Sequence, residues 1–163
     1  MRNGPTTPSL DRPLRTGTFL GLLERSRRDT LTAPPIRAAR FETSEGRARV
    51  LLVEDDVFLR HALKERLTHD GCEITELGDG VSALWCILSC QYDAVILDLS
   101  LPSRDGLEVM EAVSVERALP PVLVLTGAEM DERYLARAMG ATIVLKKPSP
   151  YAEIADALDR LLS

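Results

Sequence analysis

A chain of 163 residues with 45% apolar content can bury one ordinary core and is too short for two large domains. Its net charge of −5 conceals a split: residues 1–48 carry nine Arg against five Asp or Glu (9 − 5 = +4), while residues 49–163 carry eleven Lys or Arg against twenty Asp or Glu (11 − 20 = −9). An acidic body argues against nucleic-acid binding by the folded part, the apolar runs are too short to span a bilayer, and no apolar stretch of the secretion-signal kind stands at the N-terminus. The expectation is a cytoplasmic protein that touches neither nucleic acid nor membrane.

Residues 1–48 are rich in Pro, Thr, Ser and Arg and poor in large apolar residues, so no core can be built from them. They are read as a disordered, basic extension ahead of a domain at 49–163. Within them only residues 18–28 have the pattern of a short helix, with apolar residues early and cations late, and such a helix is marginal in water. From Val50 onward the texture changes. Apolar runs at 50–53, 74–77, 94–97, 122–125 and 142–145 begin 20 to 28 residues apart, enough each time for a crossover helix and short loops. Between them, Leu59, Leu63 and Leu67 mark a helix ending near Asp70-Gly71; Ala83, Leu84 and Ile87 mark one beyond Asp79-Gly80; and Leu107, Met110 and Val113 mark a third after Asp105-Gly106. A fourth covers about 131–139, stopped by Gly140, and a fifth about 150–162. Five β/α units predict an α/β fold: a doubly wound, five-stranded parallel sheet with helices on both faces.

In such a sheet the site belongs at the carboxyl ends of the strands, where the strand order reverses. At those ends stand Glu54, Asp55 and Asp56, then Asp98, Thr126 and Lys147. Were Glu54, Asp55 and Asp98 to lie within about 5 Å of one another, each ionised pair would repel by about 3 kcal/mol at an effective dielectric near 20. Three pairs reach ~10 kcal/mol, comparable with the whole stability of a domain. A hard divalent cation compensates, and Mg²⁺ suits few protein ligands plus waters. Asp56, adjacent to Asp55, is expected to point elsewhere. A carboxylate beside Mg²⁺, a hydroxyl and a lysine is also the constellation for phosphoryl transfer to an aspartate: Asp98 attacks, and Thr126 and Lys147 each bind a phosphoryl oxygen. Cys72, Cys86 and Cys90, an odd number in a chain with no sign of export, are read as small apolar residues; Cys86 and Cys90 lie four apart on one helix face, a spacing that could suit a metal ion, but His61 and His69 supply no matching ligand pattern.

These stretches, Val50-Leu-Leu-Val-Glu-Asp-Asp56, Asp79-Gly80 followed by a helix, Asp93 to Pro102 with Asp105-Gly106, Val122 to Ala128, and Gly140-Ala141 through Lys147-Pro148, resemble the receiver domains of two-component response regulators. The resemblance covers about residues 49–163 and implies a flavodoxin-like (βα)5 fold of the chemotaxis-regulator kind. It implies that Asp98 is the phosphoacceptor, that Glu54, Asp55, Asp98 and the backbone carbonyl of Ser100 hold Mg²⁺, and that Thr126 and Lys147 are the switch hydroxyl and the phosphate-binding lysine. The implied function is a phosphorelay: a histidine kinase or phosphotransfer protein donates the phosphoryl group, and the phosphoprotein signals through contacts with a downstream protein. It is not a conventional enzyme, although it assists its own aspartyl phosphorylation and dephosphorylation. No helix-turn-helix follows Leu162, so output is expected through protein contacts. Val144 stands where the family carries its switch aromatic, and Ser149 where an aromatic follows Lys-Pro. That departure motivates the alternative of a receiver-like interaction module not regulated by phosphorylation.

Overall fold

Apolar residues that alternate across a strand must be covered on both sides, and here they are. The structure, a computed structural model, describes residues 40–43 and 46–163, with Glu42 and Thr43 described by their backbone alone. Its main sheet consists of β1 (Arg49–Val53), β2 (Glu73–Leu77), β3 (Ala94–Leu97), β4 (Val122–Thr126) and β5 (Ile143–Lys146). The helices are α1 (Val57–His69), α2 (Gly80–Ser89), α3 (Gly106–Glu116), α4 (Met130–Ala138) and α5 (Tyr151–Leu162). All strand pairs are parallel, in the order β2-β1-β3-β4-β5. This is the doubly wound α/β architecture expected.

Period-2 alternation divides the core in two. Val50, Leu52, Ile96, Leu123 and Leu125 pack with Leu63 and Leu67 of α1 and Ile154 and Leu158 of α5. Leu51, Val53, Val95, Leu97 and Val124 pack on the other face with Ala83 and Ile87 of α2, Val109, Met110 and Val113 of α3, and Ala136 of α4. A large aliphatic side chain buried to this degree contributes about 1.5–3 kcal/mol, so the central strands dominate the stability.

Helix starts follow local chemistry. Asp56 caps α1 by accepting from the N–H groups of Phe58 and Leu59 at 2.9 and 3.1 Å; Asp79 caps α2 through Ser82 N–H at 2.8 Å; and Asp105 forms a capping box with Glu108 at α3. Strand order reverses between β1 and β3, whose register pairs Val53 with Leu97, so the next residues of both strands open at the switch point.

The helix candidate at 18–28 and most of the extension expected over 1–48 lie outside the described residues. The last part of that range does not stand apart from the fold. Phe41 is 2% exposed in the core beside Leu67 and Cys72, its N–H donates to Asp70 O at 3.2 Å, and a two-residue antiparallel ribbon joins Glu42–Thr43 to Gly46–Arg47. Arg40 pairs with Asp156 of α5 and lies over the Phe41 ring. Of the cysteines read as small apolar residues, Cys72 is buried, Cys86 is half-buried with its Sγ 2.9 Å from Tyr92 Oη, and Cys90 is exposed where α2 ends.

Candidate functional site

Glu54 and Asp55 leave the end of β1, and Asp98 leaves the end of β3. Asp98 is 3% exposed, Glu54 2%, and Asp55 is exposed. Each of these three residues offers a carboxylate oxygen within 4.8 Å of the other two. Asp56 is turned away into its capping role, as its place beside Asp55 requires. Lys147, one residue past β5, enters from the far side: its Nζ lies 2.7 Å from Asp98 Oδ2 and 2.6 and 2.8 Å from the two oxygens of Glu54. The Lys147 N–H is anchored to Thr126 O at 2.8 Å, and the Lys147–Pro148 peptide is cis.

Ser100 lies beside Asp98 and donates its N–H to Asp98 Oδ1 at 3.1 Å. Thr126, fully buried at the end of β4, accepts from Ala128 N–H at 3.1 Å through its hydroxyl oxygen, a bond that uses a lone pair and not the hydroxyl hydrogen. Gly106 closes the floor: a Cβ there would stand 2.4 Å from Asp98 O, so only glycine lets α3 begin this close to the strand end. The structure therefore brings Glu54, Asp55, Asp98, Ser100 and Lys147 together, with Thr126 tied to Lys147 through the main chain.

The electrostatics are unbalanced. Burial pushes the Glu54 carboxyl above the usual carboxylate range, Lys147 opposes that shift, and the charge of Asp98 adds to it. For Lys147 the largest influence, burial, acts downward, yet its bonds to Asp98 and Glu54 overcome it and hold the ammonium above its ordinary value. Both partners of the ion pair thus shift upward, Glu54 chiefly through burial and Lys147 through its bonds to two carboxylates; one ammonium facing three carboxylates leaves residual negative charge at the site when all are ionised (3 − 1 = 2). An all-oxygen donor set with residual negative charge and one exposed member fits a hard divalent cation.

Val144, at the switch-aromatic position, is half-buried on β5. With Met130, Arg133, Tyr134 and Arg137 of α4 it lines a cavity of about 210 Å³. These α4 residues follow one helical stripe; Met130 is 72% and Tyr134 77% exposed, and Arg133 Nε is buried with no hydrogen-bond partner. Sequence reasoning also passed over Arg60, which donates to the carbonyl oxygens of Glu54 and Asp55. Its position in the first turn after the acidic run was the available signal.

Comparison with known proteins gives one answer. Residues 50–159 match the family model of the response regulator receiver domain. The transcriptional regulatory protein QseB of Haemophilus influenzae is 39% identical over 115 residues, 70% of this chain and 52% of that protein. The chain thus spans about half the length of that relative. The non-phosphorylated HemR receiver domain of Leptospira biflexa superposes with a TM-score of 0.67 at 33% identity, over 72% of this chain and 95% of that one. The receiver domain of the sensor histidine kinase PA1611 of Pseudomonas aeruginosa, solved with a magnesium ion coordinated in its active site cleft, gives 0.65 at 27% identity over 72% and 98%. With the acidic pocket at the switch point and this coverage, the chain belongs to the response regulator receiver domain family.

Proposed function

We propose that Asp98 accepts a phosphoryl group from a histidine kinase or phosphotransfer protein in a Mg²⁺-dependent phosphorelay. The observation that carries this is the Lys147 ammonium bridging Asp98 and Glu54, with Asp55 within 4.8 Å of both. An Asp98 carboxylate oxygen attacks phosphorus as the bond to the donor imidazole nitrogen breaks; the electron pair leaves with the imidazole, and Asp98 becomes an acyl phosphate. Lys147 then exchanges its bond to Asp98 for one to a phosphoryl oxygen, and Thr126 turns its free hydroxyl hydrogen to another. Glu54, Asp55, Asp98 and the Ser100 carbonyl are the groups that would hold Mg²⁺. When bound, the cation neutralises charge on the phosphoryl oxygens.

Output by contact with a downstream protein is supported by the stripe on α4. Met130 and Tyr134 present apolar surface to solvent alongside Arg133 and Arg137, at the cavity that Val144 also lines. Incubation with Mg²⁺ and acetyl phosphate is expected to add one phosphoryl group to the wild type and none to Asp98→Asn. No labelling of the wild type, or equal labelling of the variant, overturns the proposal. Val144 in place of an aromatic favours a second reading, an interaction module that is never phosphorylated; a protein that melts at the same temperature with and without Mg²⁺ would support it.

A further inference from the structure

Arg60 lies in the first turn of α1, and its guanidinium reaches back to the turn that ends β1. Its Nη1 donates to Glu54 O at 2.6 Å and to Asp55 O at 3.3 Å. Its Nε stands 3.8 Å from Glu76 Oε2 on β2, a long contact, whereas Lys64 Nζ holds Glu76 Oε1 at 2.6 Å. Glu76 is therefore the partner of Lys64 first, and the short bonds of Arg60 go to the main chain of the acidic turn. Gly78, just beyond β2, leaves the room: a Cβ there would stand 3.0 Å from Nη1 and 3.5 Å from Cζ. The Arg60 side chain is only 19% exposed, so its place is fixed by packing as well as by hydrogen bonds.

We propose that Arg60 is a positioning residue for the divalent cation. It ties down the carbonyls of Glu54 and Asp55, so that the two carboxylates, already within 4.8 Å of Asp98, are held together before a cation arrives. Its fixed positive charge behind the turn also offsets part of their mutual repulsion. This rests on the reading of Glu54, Asp55 and Asp98 as the Mg²⁺ pocket. Without Arg60, both carbonyls turn to water and the three like charges separate, so that binding must first reassemble the site. Groups that orient metal-binding residues in this way typically change affinity 10- to 100-fold when removed.

The test is Mg²⁺ titration calorimetry on the unphosphorylated full chain, together with the Mg²⁺ dependence of acetyl phosphate labelling. Arg60→Ala is expected to weaken Mg²⁺ binding by about tenfold. The Mg²⁺ concentration for half-maximal labelling should rise by the same factor, while the rate at saturating Mg²⁺ stays near the wild type. Arg60→Lys, which keeps a charged donor for one carbonyl, should recover most of the affinity. Gly78→Ala, whose methyl would stand 3.0 Å from Nη1 and so nudge the guanidinium without removing its charge, should weaken binding by a smaller factor. Affinity for Mg²⁺ unchanged in both Arg60→Ala and Gly78→Ala overturns the proposal, and so does labelling lost at every Mg²⁺ concentration together with a lowered melting temperature, which marks Arg60 as a brace of the fold. A wild type that gives no Mg²⁺ signal is the separate result that rejects the cation pocket itself, and this role with it.

Discussion

Glu54 has two duties that pull in opposite directions. It is 2% exposed and still carries a carboxylate bonded to Lys147 and crowded by Asp98. Its folded-state pKa lies above its ordinary value, with burial as the chief cause. The stability contributed by an acid shifted upward is fully present below its unfolded pKa and is lost as pH rises through the folded value. Wherever Glu54 is ionised, its buried charge is a cost to the cation-free fold. The neutral isostere Glu54→Gln is therefore expected to melt at a higher temperature than the wild type in metal-free buffer, since Lys147 keeps Asp98 as its partner. The same change should abolish the rise in melting temperature on adding Mg²⁺. Thermal scans with chelator and with Mg²⁺ check both halves; destabilisation in chelator would show that Lys147 needs Glu54 more than the fold is harmed by it.

Among the elements, α1 begins directly after the acidic run and exposes apolar surface there. Val57 and Phe58, in its first turn, are 61% and 87% exposed, directly after the acidic run. In the proposed phosphorelay a protein donor would have to bring its phosphorylated imidazole to Asp98 and so cover this turn, whereas acetyl phosphate would not. Phe58→Ala is expected to slow transfer from a protein donor by about tenfold, the loss of ~1.4 kcal/mol of apolar contact, with labelling by acetyl phosphate unchanged. Equal slowing with both donors would place Phe58 in the chemistry rather than in docking. The order of elements was legible because central strands buried on both faces read as unbroken apolar runs: β3 and β4 are buried throughout. The edge strands gave weaker contrast. β2 begins one residue before the expected run at 74 and β5 one residue after the run at 142, and both are only partly buried. The start of α4 was also displaced by one residue, because Glu129 makes no side-chain cap that would mark it. Asp79 and Asp105 did mark their helices. Phe41 is a single apolar residue between Arg40 and Glu42, with no period to announce that it enters the core. In the site, the carboxylates and the lysine were legible from their positions at strand ends. Arg60 was far less so: its place one turn after the acidic run was the single hint, and main-chain carbonyls, its partners, leave no trace of their own in the sequence.

At the scale of the whole fold, the packing that seats Phe41 also sets a limit at high pH. Cys72, fully buried beside Phe41 and Leu67, has its thiol pushed up to about 12 from an ordinary 9.0 by burial, with the charge of Asp70 adding to the effect. Tyr151, at the start of α5, is likewise shifted upward, first by burial and then because its hydroxyl donates to Asp70 Oδ2 at 2.9 Å. Both groups have folded pKa values above their unfolded ones, so their contribution is fully present below about pH 9 and is lost as pH rises toward the folded values. Between those limits the unfolded chain releases protons that the folded one retains, and each group lowers the unfolding free energy by at most about 1.4 kcal/mol per pH unit. Urea denaturation is therefore expected to give a stability that falls above about pH 9. Cys72→Ala should lower stability at pH 7 through the small cavity it leaves, yet flatten the fall between pH 9 and 10, where the ordinary thiol titrates and the ordinary tyrosine only begins to. Tyr151→Phe should flatten the fall above pH 10 instead. An alkaline limb of unchanged slope in both variants would mean that neither proton is held by the packing of α1, α5 and Phe41, and that the high-pH limit arises from general charge repulsion in a body that is already acidic.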